Sequence, residues 1–189
     1  MIAPRGLPRS PAPRGFTLME MLMVLALLAI LARVMVPALA GTDDRRLEVA
    51  ASEVREALRF ARAEAMRRGQ KVLVDAESSP GRVKVSQTSC TSSGTPKVVN
   101  DPRTKRTFDV DVAGGPFSSG VGVTPNFLAA GTPWGGVIFD ASGAAVDACQ
   151  VTGMNSQGTP QAGSGVVLSL AGKQLAVSLA QPTGRVTGP

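Results

Sequence analysis

The hydrophobic and polar positions divide the chain into three regimes. From Met21 to Ala32 every side chain is apolar, and across the 25 residues Phe16–Ala40 only Glu20 and Arg33 carry charge. A helix of that length measures about 37 Å, enough to cross a bilayer core of about 30 Å with some tilt. Pro37 lacks an amide hydrogen, so the helix is expected to bend near its exit. From Thr42 the pattern changes. Leu47, Ala50, Ala51, Val54, Ala57, Leu58, Ala61 and Ala65 recur at spacings of three and four, a stripe that faces a core. Thr42, Asp43 and Asp44 suit its N-terminus, Arg67 and Arg68 suit its C-terminal dipole, and Gly69 ends it. Glu48, Glu53, Arg55, Glu56, Arg59, Arg62, Glu64, Arg67 and Arg68 fall mostly outside that stripe and are expected to be solvated and ion-paired.

Beyond Lys71 the pattern is that of strands. Val72–Val74, Arg82–Val85, Thr107–Val112, Val137–Phe139, Val166–Leu170 and Leu175–Leu179 are short and rich in β-branched residues. Residues 78–81, 88–96, 100–105 and 113–136 are polar or glycine-rich and are expected to be loops. A long helix followed only by strands defines an α+β fold, the helix lying on an antiparallel sheet domain of one sheet or two.

Composition sharpens the topology. The chain has 189 residues and a net charge of +6, but Arg5, Arg9 and Arg14 supply three of those charges before the apolar stretch begins. Basic residues there hold the N-terminus in the cytoplasm and direct the globular part outward. The excess of charge is therefore half a topology signal. From Gln70 onward nine basic residues face seven acidic ones, which makes no broad basic surface. Cys90 and Cys149 are the only cysteines, and an oxidising compartment permits them to pair; two buried thiols are the alternative. With no histidine, the commonest general base and zinc ligand is missing, and two cysteines make no metal cluster, so the expectation is no catalysis, no metal and no cofactor.

Glu20 is the residue that asks for a function. A carboxylate at the centre of a bilayer costs on the order of 2.5–3.5 kcal/mol, less near an interface, and it needs a partner. Cleavage between Gly15 and Phe16 would create one, an α-amino group about one helical turn away on the same subunit or a neighbour. Gly15-Phe16-Thr17-Leu18-Met19-Glu20 followed by the apolar run resembles the class III signal of type IV pilins and type II secretion pseudopilins. The resemblance implies that a prepilin peptidase cuts after Gly15 and methylates the new N-terminal Phe16, and that Glu20 guides filament assembly. Residues 1–40 also read as an ordinary secretory signal ending at Ala38-Leu39-Ala40, or as an uncleaved anchor, and the mature N-terminus separates the three.

Two further stretches narrow the resemblance. Ala61-Arg62-Ala63-Glu64-Ala65-Met66-Arg67-Arg68-Gly69-Gln70-Lys71-Val72 is similar to the GspH/FimT subfamily, in which the helix end runs straight into the first strand. Trp134-Gly135-Gly136-Val137-Ile138-Phe139-Asp140-Ala141-Ser142-Gly143 is similar to the same subfamily; Trp134 reads as a packing anchor and Asp140–Gly143 as a tight turn. Arg62 or Glu64 is expected to pair with the sheet rim. Near the C-terminus, Gly184-Arg185-Val186 matches part of the Gly-Arg-x-Arg motif of DNA-binding minor pilins, with Thr187 in place of the second arginine. Lys173 is the one further basic residue that the sequence suggests for such a site, and nothing else near them reads as basic.

The resemblance thus implies a leader at 1–15, a membrane and assembly helix at 16–40, an amphipathic helix at 41–69 and a β-rich domain at 70–189. It implies a single-pass inner-membrane protein with a cytoplasmic N-terminus and a periplasmic domain. Its partners would be a prepilin peptidase and other pseudopilins or pilins. The function implied is that of a non-catalytic minor pseudopilin of type II secretion, near the filament tip. The alternative is a FimT-like minor pilin acting in pilus assembly or DNA uptake.

Overall fold

The computed structural model describes residues 16–40, 42–77, 79–88, 90 and 96–188. The chain divides into two compact units, Met1–Gly41 and Thr42–Pro189. The first contributes helix α1 (Leu18–Ala40), which stays helical through Pro37, where the sequence suggests a bend. Every apolar side chain described in α1 is exposed, from Val24 at 46% to Leu18 at 79%. Its side chains are described only for Leu18–Leu31 and Arg33. Among the described residues, no helix is long and apolar enough to cross a membrane.

The second unit opens with helix α2 (Thr42–Arg68), with Asp43 and Asp44 in its first turn and Arg67 and Arg68 in its last. Its buried positions are the eight of the apolar stripe and, against expectation, Glu64. Five of the eight are alanines, which let a helix backbone come close to a sheet. Two antiparallel sheets share this helix. The first is built around β1 (Val72–Asp75), β2 (Arg82–Gln87), β7 (Gly136–Phe139) and β8 (Ala145–Gln150), with β3 (Lys97–Val98), β4 (Asp109–Asp111) and β9 (Asn155–Ser156) at its margins. The second runs β12 (Arg185–Thr187), β11 (Lys173–Ala180), β10 (Gly165–Leu170), β5 (Gly122–Ala129), β6 (Thr132–Trp134). α2 packs on β1 and β2 of the first and on β10, β11 and β12 of the second.

Alternation along the strands explains why β1 and β7 are buried throughout. Val72, Val74, Val137 and Phe139 join the main core under α2. Leu73 and Ile138, cross-strand neighbours, point the other way and pack with Cys90 and Cys149 and the half-buried Val146 and Val151. Cys90 and Cys149 form a disulfide there, with a Cα–Cα separation of 5.9 Å. Closing a loop of 59 residues contributes roughly 4 kcal/mol in the chain-entropy model.

The expected loop at 113–136 is corrected by the structure, because β5 and β6 lie within it. Pro125 and Asn126 disguise β5. At Gly122–Asn126 it pairs only with β10, and β6 joins its other side from Phe127 onward, so the missing amide hydrogen of Pro125 is tolerated. β4 is shorter than the strand expected at Thr107–Val112, since Phe108 instead donates its amide to the Val99 carbonyl.

The two sheets meet where two turns touch. Gly143 (φ 80°) lies between β7 and β8, Gly184 (φ 65°) lies between β11 and β12, and a Cβ on Gly184 would sit 2.5 Å from the Gly143 carbonyl oxygen. Positive φ and close approach together require glycine at 184. Gly184→Ala is expected to lower the unfolding free energy by about 1–3 kcal/mol. Urea unfolding followed through Trp134 checks it, and an unchanged midpoint would mean that the turns do not need this contact.

Candidate functional site

The N-terminal motif begins at the edge of the described chain. Gly15 lies outside the described residues, and Phe16, the residue after it, is 75% exposed. Thr17 caps α1. Its hydroxyl and its carbonyl both accept the Glu20 amide, at 3.2 and 3.1 Å, and the carbonyl also accepts Met21. Glu20 is thus the third helical residue, the position of the acid in a Thr-x-x-Glu capping box. A carboxylate there is favoured by the helix dipole whatever else it does. The sequence carries this second role in plain view, as Thr17 and Glu20 three residues apart.

At the other end of α2, the two stretches that resemble the subfamily touch each other. Arg62 Nε donates to the Gly143 carbonyl at 2.9 Å, fastening the helix to the β7–β8 turn. That turn is held by Asp140, whose carboxylate accepts the Ser142 hydroxyl at 2.6 Å, the Ser142 amide at 2.9 Å and the Ala144 amide at 3.1 Å. The Ser142 hydroxyl is the main reason that the Asp140 carboxyl sits below the usual aspartate range. Glu64 does not reach the sheet rim. It is clamped within its own helix by a bidentate Arg67, at 2.7 and 2.8 Å, and by Arg68. Arg67 outweighs burial and, with help from Arg68, holds the Glu64 carboxyl below the usual glutamate range. That clamp makes a carboxylate tolerable in the buried stripe.

The two basic residues singled out for nucleic acid are not brought together. Lys173 pairs with Asp44 at 2.6 Å, near the start of α2. Arg185 instead shares a groove of about 250 Å³ with Arg59 and Arg62, beside Ala63, Met66 and Val186. The reading that nothing near Arg185 is basic is therefore corrected. Among the described residues, no acidic side chain lines this groove. The signal was present as Arg55, Arg59 and Arg62 at i, i+4 and i+7, one face of a helix. What the sequence could not supply was β12 lying alongside that face. Trp134 packs against the main core, opposite Phe127 across the β5–β6 pair.

The model of the type II transport protein GspH family matches residues 50–172, and that of the prokaryotic N-terminal methylation motif matches residues 12–32. Among solved structures, the type IV minor pilin FimU of Pseudomonas aeruginosa is similar at a TM-score of 0.50 and 18% identity, over 78% of this chain and 91% of that one. The minor pseudopilin EpsH from the type 2 secretion system of Vibrio cholerae is similar at a TM-score of 0.49 and 16% identity, over 76% and 96%. No curated protein sequence matches the chain. The likeness to FimU shows a type IV pilin-like fold.

The shifted carboxyls predict the acid limb of stability. Glu64 and Asp140 bind protons less readily folded than unfolded, so the stability they add is complete above the unfolded values and is lost as pH falls through the folded ones. Glu53 is opposite. Burial pushes it up from 4.5, against the Ser118 hydroxyl and with Asp111 and Glu56 adding to the rise. Its cost is full above the raised value and is relieved as pH falls towards 4.5. Glu64→Gln is expected to flatten the loss of stability below pH 4.5, and Glu53→Gln to stabilise the protein at neutral pH. Urea unfolding across this range measures both, and a destabilised Glu53→Gln would contradict the assignment.

Proposed function

The chain belongs to the type II transport protein GspH family, and from that membership we propose that it is a minor pseudopilin of a type II secretion system. The observation that carries this reading is the pairing, in one chain, of the methylation motif at 12–32 with the GspH match at 50–172. The apolar side chains exposed around α1 support it, since a helix apolar on all sides belongs in a membrane or inside other protein. In this proposal residues 1–15 are a leader, and a prepilin peptidase cuts after Gly15 and methylates Phe16. The helix over 16–40 holds the subunit in the inner membrane, N-terminus in the cytoplasm and globular unit in the periplasm.

The role is structural, that of a subunit and not an enzyme. On assembly the helix leaves lipid for a bundle of like helices. There Glu20, which already suits its own helix end, meets the methylated amine of a neighbour and sets the stagger between subunits. The Glu20→Ala variant is expected to insert and be cleaved normally but to be lost from filaments. Pulldown of partner pseudopilins with the membrane-extracted variant measures this, and wild-type recovery would remove Glu20 from the assembly step.

A second reading is favoured by the groove of Arg59, Arg62 and Arg185. We propose for it a FimT-like minor pilin that captures DNA, with these three arginines as the phosphate contacts and Lys173 outside the site. Three contacts to duplex predict a slope near −2.7 for log affinity against log salt. Arg59→Ala and Arg185→Ala together should flatten that slope by about two contacts, and Lys173→Ala should leave it unchanged. Retardation of a DNA fragment at several salt concentrations tests this, and no retardation at low salt leaves the secretion reading alone.

A further inference from the structure

A cavity of about 570 Å³ lies between the last turns of α2 and the turn that joins β3 to β4, a size that takes a small ligand or the end of a peptide. Phe60, Glu64, Arg67 and Arg68 line it from the helix, and Asp101 and Lys105 line it from the turn. That turn is built to hold its shape. Asp101 donates its amide to the Arg106 carbonyl and accepts the Lys105 amide on its own carbonyl, both at 2.8 Å. Its carboxylate accepts the Arg103 amide at 2.8 Å and the Thr104 hydroxyl at 3.1 Å. Arg103 in turn reaches Glu56 on α2, Nη2 to Oε1, at 2.5 Å.

Lys105 sits in this turn at φ 58°, in the left-handed region that glycine enters freely and lysine does not. Ala130, Met154 and Ala171 share that region, but none of them carries charge or lines the cavity. A long cationic side chain is thus kept where the backbone favours none. The other charges of the lining leave it unmatched. Arg67 and Arg68 take both Glu64 oxygens, and donors within the turn take both Asp101 oxygens. Lys105 has no salt bridge among the described residues. Arg67 gives two N–H bonds to Glu64 and keeps the rest for an outside acceptor. Phe60 supplies the apolar part. Phe108 stacks on its ring, centroids 4.3 Å apart, but does not line the cavity, so the ring surface that Phe60 turns to the cavity is one that Phe108 leaves open.

We propose that this cavity binds a carboxylate carried on an apolar group, the carboxylate meeting Lys105 and Arg67 and the apolar group covering Phe60. The two cations select the anion, and a guanidinium suits a carboxylate in particular. An anion without an apolar group would leave Phe60 uncovered and bind less well. The C-terminal residue of a peptide and a free aromatic acid share this chemistry, and the two sources differ in what the rest of the ligand adds.

The test uses the full chain, nitrogen-15 labelled and held in a mild detergent. It is titrated with an N-acetylated tripeptide ending in phenylalanine with a free carboxylate, with the same peptide amidated, and with 3-phenylpropionate. Shifts of the Asp101 and Arg106 amides report binding. The amidated peptide is expected to bind about tenfold more weakly than the free carboxylate. Lys105→Arg should retain binding. Lys105→Gly should weaken the free-carboxylate peptide about tenfold while raising the urea midpoint, because glycine suits the left-handed backbone. A peptide that binds more tightly than 3-phenylpropionate assigns the ligand to a chain end; otherwise it is a free acid. Equal binding of the acid and amide peptides, no shift with either carboxylate, or wild-type binding by Lys105→Gly would each overturn the proposal. A lowered urea midpoint in Lys105→Gly would mean that the lysine serves the fold, and that too overturns it.

Discussion

One helix has to close two sheets, and the small side chains along α2 are what allow it. Ala50, Ala51, Ala57, Ala61 and Ala65 are all buried, with Leu47, Val54 and Leu58 filling the space between them. Alanine gives little transfer energy of its own, since burial scales with apolar area. Its value here is distance, because a close helix axis lets β1 and β2 on one side and β10 to β12 on the other reach the same core. Larger residues at these positions would force one sheet away. The same closeness brings the Gly143 carbonyl within hydrogen-bond reach of Arg62 and lays β12 beside the arginine face of the helix.

Several features of this arrangement were legible in the sequence and several were not, for physical reasons. The spacing of three and four located the buried stripe of α2 at all eight positions. It misplaced Glu64, because a pattern of residue types cannot tell that Arg67 and Arg68 will neutralise a carboxylate within one turn. The β-branched strands were readable, whereas β5 was hidden by Pro125 and Asn126 and became a strand only through its pairing with β10. Arg185 was visible and its neighbours were not, since Arg59 and Arg62 are more than a hundred residues away in sequence and only the fold joins them. That Cys90 and Cys149 are able to pair was readable, with two buried thiols as the alternative, and the structure joins them. Their task, to seal Leu73 and Ile138 on the far face of the first sheet, was not readable at all.

The two units pose opposite physical problems. The second covers its apolar stripe, pairs its buried Glu64 and holds its turns by side chains such as Asp140. The first leaves its apolar surface uncovered, and every described large side chain from Leu18 to Leu31 is exposed. In the proposed reading lipid covers that surface before assembly and neighbouring helices cover it afterwards. In that reading Glu20, the acidic residue in the first turn of α1, favours the second cover.

The fate of Gly15 is therefore the point on which the functional account turns. Intact mass and N-terminal sequencing of the protein extracted from membranes measure it directly. The account predicts a chain that begins at Phe16 with a methylated amine. A chain that begins at Gly41 would make the second unit a secreted soluble domain, and one that retains residues 1–15 would make the helix a plain anchor; either result contradicts the pseudopilin reading.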